Sequence, residues 1–322
     1  MTSRPARRAR VGLYAARGLL VIGSVTLLAL AAEWATARFA PSSPLLLLPR
    51  DDNCLRRDSL LGLALRPNCT GNLSGTPMRT NSLGMRGPEP RGNGARRVLV
   101  LGDSCTMGWR VAEDESYPAV LQSLLAARPG EPPVDVLNAG LAGYTSHQGV
   151  VTLRERGAAL APDVVVIAFG WNDATRLGDV VEQIETENRL RHLIRLDDWL
   201  LTHSHFYRWA RWRGHERAPD ASRPFRVSRE HLRANLAEMI RLARQGGAQV
   251  VLVNFLRPAN VIGHSPAIEA AAADHQVPMI VYEGERLDVV HPTAAGYRWL
   301  AEQLAATLDE HRLLAPRANP PP

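Results

Sequence analysis

The chain contains no lysine, so all 38 of its basic residues are arginine. Its formal net charge of +6 is compatible with a nucleic-acid or anionic-membrane partner. No recognisable nucleic-acid-binding motif accompanies the arginines, and we therefore predict no nucleic-acid partner. An arginine-rich composition is the simpler explanation of the charge. Hydrophobic and charged fractions of 45% and 22% exclude bulk disorder across the 322 residues.

Cysteine is scarce, with three residues in the chain. Cys54 and Cys69 flank a short segment, and they are either a disulfide formed in an oxidising compartment or two unrelated thiols. We predict the disulfide. Cys105 is interpreted as a small buried packing residue rather than a second nucleophile. The absence of cysteine near the end of the N-terminal apolar run excludes a lipid-modified cysteine there.

The first 40 residues have the pattern of a membrane segment. An arginine cluster at positions 4–10 precedes an uncharged, mostly apolar run at 18–32, and extension back to Val11 makes the run long enough to cross a bilayer. By the positive-inside rule, the N-terminus stays in the cytoplasm and the rest is exported. A cleaved signal peptide is the alternative, since residues 29–31 and 35–37 resemble cleavage sites. Either reading predicts that the rest of the chain is extracytoplasmic.

The rest of the chain, residues 41–322, falls into three segments of different composition. Turn-forming residues dominate positions 41–94, which we interpret as an irregular N-terminal extension. From residue 95 to 315, β-branched runs alternate with helical patterns, which predicts an α/β domain whose five-stranded parallel sheet is covered on both faces. The predicted strands are Arg97–Leu101, Val134–Leu137, Asp163–Phe169, Gln249–Phe255 and Pro278–Tyr282. The proline-rich end, 316–322, is predicted to be a disordered tail.

Residues 175–224 are too many for an ordinary connection between a strand and a helix. This insertion is rich in arginine and aromatic residues, among them Trp199, Phe206 and Trp209. Two interpretations stay open. The insertion is a lid or acyl-binding cap that touches the membrane surface, or it is a pair of packing helices whose arginines face water.

A serine directly follows the first predicted strand. Ser104 lies between Gly102 and Gly108, and these glycines permit a sharp turn that exposes its hydroxyl. Far downstream, Asp288 and His291 lie three residues apart, just before a predicted helix. At this spacing the Asp288 carboxylate, or a neighbouring carbonyl, can orient the imidazole and leave its other nitrogen for the serine. We predict Ser104 as nucleophile and His291 as the base that later acts as acid.

Two further motifs also follow predicted strands. Gly143 offers a backbone N–H that a ligand can approach closely, and Asn172 offers a side-chain amide. Together with the N–H of Ser104, they are the predicted donors to a tetrahedral oxyanion. Taken singly, Gly143 is equally an ordinary loop glycine and Asn172 a turn residue. Ligands of open α/β sheets bind at the carboxyl ends of the strands, where all these motifs fall.

In this set of motifs the chain resembles the SGNH, or GDSL-type, hydrolase family over roughly residues 95–315. Ser104, Gly143, Asn172 and His291, the last with Asp288, stand at the positions of the family's serine, glycine, asparagine and histidine blocks. The resemblance implies a flavodoxin-like three-layer α/β/α sandwich and ester hydrolysis without a metal. The membrane segment, the extension and the insertion are atypical, and they leave the substrate open.

Two absences narrow the chemistry. No Gly-x-Ser-x-Gly elbow occurs, which disfavours the α/β-hydrolase superfamily. Five histidines have no cysteine or acidic partner at the spacing that metal ligands need, so no metal site is predicted. These are His192, His203, His205, His215 and His231. No other cofactor is predicted either.

We therefore predict an extracytoplasmic, membrane-tethered serine esterase that acts through an acyl-enzyme on small esters, O-acetylated glycans or lipids. An O-acyltransferase acting on a cell-envelope polysaccharide would use the same residues. A non-catalytic envelope carbohydrate-binding protein is the third alternative.

Overall fold

The computed structural model describes residues 4–39, 53–73, 75–92, 94–130, 132–215, 222–256 and 263–315. The predicted tail at 316–322 and the first part of the predicted extension, up to residue 52, lie outside these ranges. The strands are β1 (Leu55–Asp58), β2 (Gly62–Leu65), β3 (Thr70–Leu73), β4 (Thr76–Arg79), β5 (Arg96–Gly102), β6 (Val134–Asn138), β7 (Val164–Ala168), β8 (Gln249–Asn254) and β9 (Met279–Val281). The helices are α1 (Arg4–Phe39), α2 (Ser104–Met107), α3 (Tyr117–Ala126), α4 (Ser146–Leu160), α5 (Val180–Arg189), α6 (Arg191–His203), α7 (His205–His215), α8 (Arg229–Gln245), α9 (Ser265–His275) and α10 (Ala294–Glu310).

The chain forms two compact units. The larger consists of residues 47–191 and 219–322, and the smaller of residues 1–46 and 192–218. The larger unit is built on a five-stranded sheet of order β6-β5-β7-β8-β9, in which every neighbouring pair is parallel. In chain order this is 2-1-3-4-5, the flavodoxin-like arrangement. The predicted sheet and all five of its strands are confirmed, with boundaries that differ by at most one residue at either end.

Successive side chains of a strand point to opposite faces of the sheet, so the central strands contribute to two core layers, one on each face. Leu99, Ile167 and Leu252 pack on one face with α4, α8 and α9. Val100, Val166 and Val253 pack on the other face with α3 and α10. Helices on both faces of the sheet make the three-layer α/β/α sandwich that was predicted.

The N-terminal extension is more regular than the sequence indicated. Within it, β1 pairs with β2 and β3 pairs with β4, each as an antiparallel hairpin. The Cys54 and Cys69 sulfurs are 2.11 Å apart, which joins the start of the first hairpin to the start of the second. The Tyr144 hydroxyl, on the loop after β6, donates to the Leu63 carbonyl of β2 at 2.8 Å. The hairpins are thereby attached to the sheet domain.

The smaller unit contains α1, α7 and nearly all of α6. A 27-residue stretch of α1, Leu13–Phe39, is long and apolar enough to cross a membrane. The described part of the predicted insertion forms three helices rather than a pair, and α5 belongs to the larger unit. Within the smaller unit α1 packs against α7.

Candidate active site

Ser104 lies immediately beyond the carboxyl end of β5 and is itself the first residue of α2. The next helix, α3, begins only at Tyr117, so the serine lies on a short helix of its own. The Asp103 carboxylate caps α2 by accepting the Cys105 N–H at 2.9 Å. The first N–H groups of a helix have no helical partner, so the Ser104 N–H is a candidate donor to a ligand.

The turn before the serine depends on a residue without a side chain. A Cβ at Gly102 would lie 2.0 Å from the Thr106 hydroxyl and 2.8 Å from the Ala168 carbonyl oxygen. Neither distance is sterically allowed, so only glycine fits between α2 and β7. This crowding holds the serine close to the sheet edge.

Ser104, His291 and Asp288 form one hydrogen-bonded series. The His291 Nε2 atom is 2.9 Å from the Ser104 hydroxyl, and its Nδ1 atom is 2.8 Å from the nearer Asp288 oxygen. The second Asp288 oxygen also accepts the backbone N–H groups of Val290 and His291 at 2.7 and 2.8 Å. The structure thus brings together three residues that lie up to 187 positions apart in the sequence.

The loop carrying His291 is held by a guanidinium and an indole. Arg286 donates to the Val290 carbonyl at 2.8 Å and to the Phe255 carbonyl at 2.7 Å. The buried Trp109 ring stacks on the imidazole with a centroid distance of 5.5 Å and an interplanar angle of 24°. Packing and backbone bonds together fix the ring, which a proton acceptor requires.

Electrostatics keep the Asp288 carboxyl ionised. Partial burial acts to raise its pKa, but the hydrogen bonds from His291 and Val290 outweigh that effect and lower the pKa below its usual value. At neutral pH Asp288 is therefore a carboxylate that accepts the Nδ1 proton. In the tautomer with its proton on Nδ1, the ring presents Nε2 to the serine hydroxyl as an acceptor.

The other two predicted donors lie on the loops after β6 and β7. Gly143 has φ +84°, in the left-handed region that favours glycine. The Asn172 Nδ2 atom donates to the Tyr144 carbonyl at 3.0 Å and lies 3.4 Å from an Asp103 carboxylate oxygen. The longer contact is weak, so one amide N–H remains available to a stronger acceptor.

Two arginines at the site, the buried Arg86 and the half-buried Arg226, were not identified from the sequence. Arg226, which follows the insertion, donates to the Gly143 carbonyl at 2.7 Å. Arg86, from the extension, donates to four carbonyls at 2.7 to 3.0 Å. These carbonyls belong to Pro77, Met107, Gly108 and Val111. Arg86 thereby ties the hairpins of the extension to the end of α2.

Two buried carboxyls lie beneath the serine and the asparagine. Burial raises the pKa of Asp103 to about 7, and the neighbouring charge of Asp173 adds to the effect. Burial also raises the pKa of Asp173, although the N–H of Ser146 donates to it at 3.0 Å.

A cavity of about 320 Å³ lies elsewhere in the larger unit, between the first hairpin, the loop after β6 and α4. Leu61, Met85 and Leu141 are among its lining residues, whereas Ser104 and His291 are not. The cavity is therefore separate from the hydrogen-bonded series. No group of three or more histidine, cysteine or acidic residues is suitably placed for a metal within the part of the chain that the structure describes.

A serine, an imidazole and a carboxylate bonded in series at the carboxyl edge of a parallel sheet have the geometry found in serine hydrolases. The chain belongs to the GDSL-like Lipase/Acylhydrolase family, whose family model matches residues 100–299. The family predicted from the four motifs is thereby confirmed.

Individual relatives match over shorter spans. An arylesterase of Vibrio mimicus is 32% identical over 82 residues, which is 26% of this chain and 40% of the relative. Thioesterase 1/protease 1/lysophospholipase L1 of Escherichia coli K12 is 30% identical over 104 residues, 32% of this chain and 46% of the relative. The chain thus spans less than half the length of these curated relatives.

Solved structures match over more of the chain. The crystal structure of TesA has a TM-score of 0.45 at 24% identity and covers 67% of this chain and 99% of its own. A catalytic mutant of Axe2, an acetylxylan esterase from Geobacillus stearothermophilus, has a TM-score of 0.44 at 16% identity, with 67% and 95% covered.

Proposed function

We propose that this protein is an extracytoplasmic serine esterase, tethered to the membrane by α1, that hydrolyses acyl esters through an acyl-enzyme. The observation that carries the proposal is the continuous series Asp288–His291–Ser104, with polar separations of 2.8 and 2.9 Å. Both distances are within direct reach for proton transfer. The family assignment supports the same chemistry.

In the proposed reaction the Ser104 oxygen attacks the ester carbonyl carbon while its proton passes to His291 Nε2. The resulting oxyanion accepts hydrogen bonds from the N–H groups of Ser104 and Gly143 and from the Asn172 amide. Collapse of this intermediate expels the alcohol, which takes the proton from His291. Water then attacks the acyl-enzyme by the same route, with His291 as base, and releases the acid.

The proposed substrates are small acyl esters, O-acetylated glycans or lipids. The names of two relatives, an arylesterase and a thioesterase/lysophospholipase, fit acyl esters of more than one alcohol. The proposed location is supported by the length of the apolar stretch in α1 and by the arginines that precede it. The paired Cys54 and Cys69 fit an oxidising compartment.

The test uses the full chain in detergent micelles and a short-chain chromogenic ester. Ser104→Ala and His291→Ala should each lower kcat by at least about 10³-fold, and the double variant should be no slower than the worse single variant, because the two residues act as a unit. Ser123→Ala, at an exposed serine of α3, is the matched control and should leave turnover unchanged. Retention of a tenth or more of the activity by Ser104→Ala would contradict the proposal.

Product analysis separates hydrolysis from transfer. The ester is incubated with and without an added oligosaccharide, and the acid and any acylated sugar are measured by mass spectrometry. Hydrolysis predicts free acid at a rate independent of the sugar. Acylated sugar as the main product would overturn the hydrolase assignment and favour an O-acyltransferase with the same nucleophile.

A further inference from the structure

Helix α6 presents an exposed apolar face. Leu193, Leu196 and Trp199 are 63, 54 and 56% exposed, and their spacing of three residues places them along one side of the helix. Phe206 continues the exposed apolar surface at the start of α7. Side chains of this size are seldom left in water together without a partner.

The exposed polar residues that flank the apolar residues of α6 are basic or are histidine. His192, Arg195 and His203 are exposed beside the apolar residues. The two acidic residues of α6, Asp197 and Asp198, are half-buried, and Asp197 accepts from the Tyr207 hydroxyl at 2.6 Å and from Arg211 at 3.2 Å, which offsets its charge. A face that combines leucine, tryptophan and basic residues is typical of helices that lie in a membrane interface.

The start of α7 is attached to α1 through one carboxylate. Glu33 of α1 accepts the Ser204 hydroxyl at 2.7 Å and the Phe206 N–H at 3.1 Å, and it also accepts the His205 N–H. Ser204 directly precedes α7, and His205 and Phe206 open its first turn, whose partial positive charge favours an anion. The junction between α6 and α7 is therefore held at the level of Glu33.

The position of Glu33 along α1 fixes that level. Glu33 is the first charged residue after the uncharged, mostly apolar run at 18–32, and about 20 helical residues that end at Ala32 are enough to cross a hydrocarbon core of about 30 Å. Glu33 then lies at the boundary between lipid tails and headgroups. Exposed aromatic rings follow at Trp34 and Phe39, as is usual at a membrane interface.

We propose that α6 and α7 lie on the surface of an anionic bilayer, with Leu193, Leu196 and Trp199 inserted among the lipid headgroups. The proposal rests on the membrane tethering given under the proposed function. The three apolar side chains leave water when they insert into the bilayer, which favours binding. The positive charge of Arg195 attracts anionic phospholipid. The partner is the lipid surface itself rather than a second protein.

The test places a polarity-sensitive fluorophore on single introduced cysteines of the full chain in nanodiscs of phosphatidylcholine and phosphatidylglycerol. Cys105 is buried and Cys54 is paired with Cys69, so labelling is confined to the new thiol. At Leu196→Cys we expect a blue-shifted emission and loss of most fluorescence when the lipids carry doxyl quenchers. The exposed control Ser123→Cys, on α3, should show neither effect.

A third label at Leu27→Cys, in the apolar part of α1, reports on the tether itself. Quenching at Leu27 without quenching at Leu196 would overturn the interfacial placement while the tether stands. No quenching at Leu27 would overturn the tether, and the placement of α6 and α7 with it. Quenching at Leu196 that weakens when phosphatidylglycerol is omitted is the result expected from the basic face.

Discussion

Arg226 connects the two loops that carry the predicted oxyanion donors. Its side chain donates to the Gly143 carbonyl, and its backbone N–H donates to the Thr175 carbonyl just beyond Asn172. Burial lowers the pKa of Arg226, while the charge of Asp173 opposes that shift. A bond to the Gly143 carbonyl restrains the residue whose own backbone N–H is the predicted donor.

Arg226→Met should therefore lower kcat roughly 10- to 100-fold with little change in KM, because misplaced donors affect the transition state more than the bound ester. Arg226→Lys keeps a hydrogen-bond donor, and its kcat should fall by a smaller factor. The matched control is Arg97→Met, since Arg97 also donates to a carbonyl, that of Leu160, at the opposite end of β5. Equal losses of kcat in the two methionine variants, or a rise in KM alone, would contradict this positioning role.

The Asp103 carboxyl makes stability depend on pH. Its pKa is about 7 in the folded chain and near 3.8 when unfolded, so between these values the folded state binds more protons. The free energy of unfolding should fall as pH rises through this window. Asp103→Asn, which keeps an acceptor for the Cys105 N–H, should show a flatter profile. Thermal midpoints of the full chain in micelles between pH 4.5 and 7.5 measure this, and parallel profiles would be inconsistent with it.

Among single residues, those that belong to short sequence motifs could be predicted as site residues. Ser104, Asp288 and His291 were identifiable because each has a fixed neighbour or spacing beside a strand or helix. Arg86 and Arg226 were not, because a guanidinium that bonds to distant carbonyls leaves no local pattern. Their roles depend on which loops the fold brings together.

Among the elements, the predicted disulfide has the clearest consequence. The bond closes a loop of 15 residues that contains the first hairpin. Closing a loop of that length restricts the unfolded chain and stabilises the fold by about 3 kcal/mol. Cys54→Ser with Cys69→Ser should reduce the free energy of unfolding by that order, measured with denaturant on the full chain in micelles.

The control for the disulfide prediction is a thiol titration of the denatured, unreduced wild type. It should reveal one thiol, that of Cys105, and three after reduction. Three thiols before reduction would show that the bond does not form. Unchanged stability of the serine variants would show that it contributes nothing to the fold.

The strands that could be predicted best are those buried along nearly their whole length. The strands β5, β7 and β8 are apolar runs buried on both faces, and their pattern identifies them directly. The strands of the extension have four residues each and mixed exposure, so their pairing is not visible in composition. The four-residue helix α2 is too short for any periodicity and follows from the turn at Gly102 instead.

For the whole molecule, the parallel sheet explains how distant motifs meet. The strand order places the carboxyl ends of β6, β5 and β7 side by side, and each is followed by one predicted site residue. His291 reaches the same edge on the loop before α10. Strand direction could be predicted from alternating strands and helices, whereas the helices of the insertion depend on packing that the sequence pattern left open.

The central claim is that the Ser104 hydroxyl is a nucleophile activated by His291. A fluorophosphonate probe applied to the folded full chain tests it most directly, with intact mass and peptide mapping as the readout. We predict a single adduct, on Ser104, which forms far more slowly in His291→Ala. An adduct on another residue, or a folded wild type that stays unlabelled, would contradict the claim.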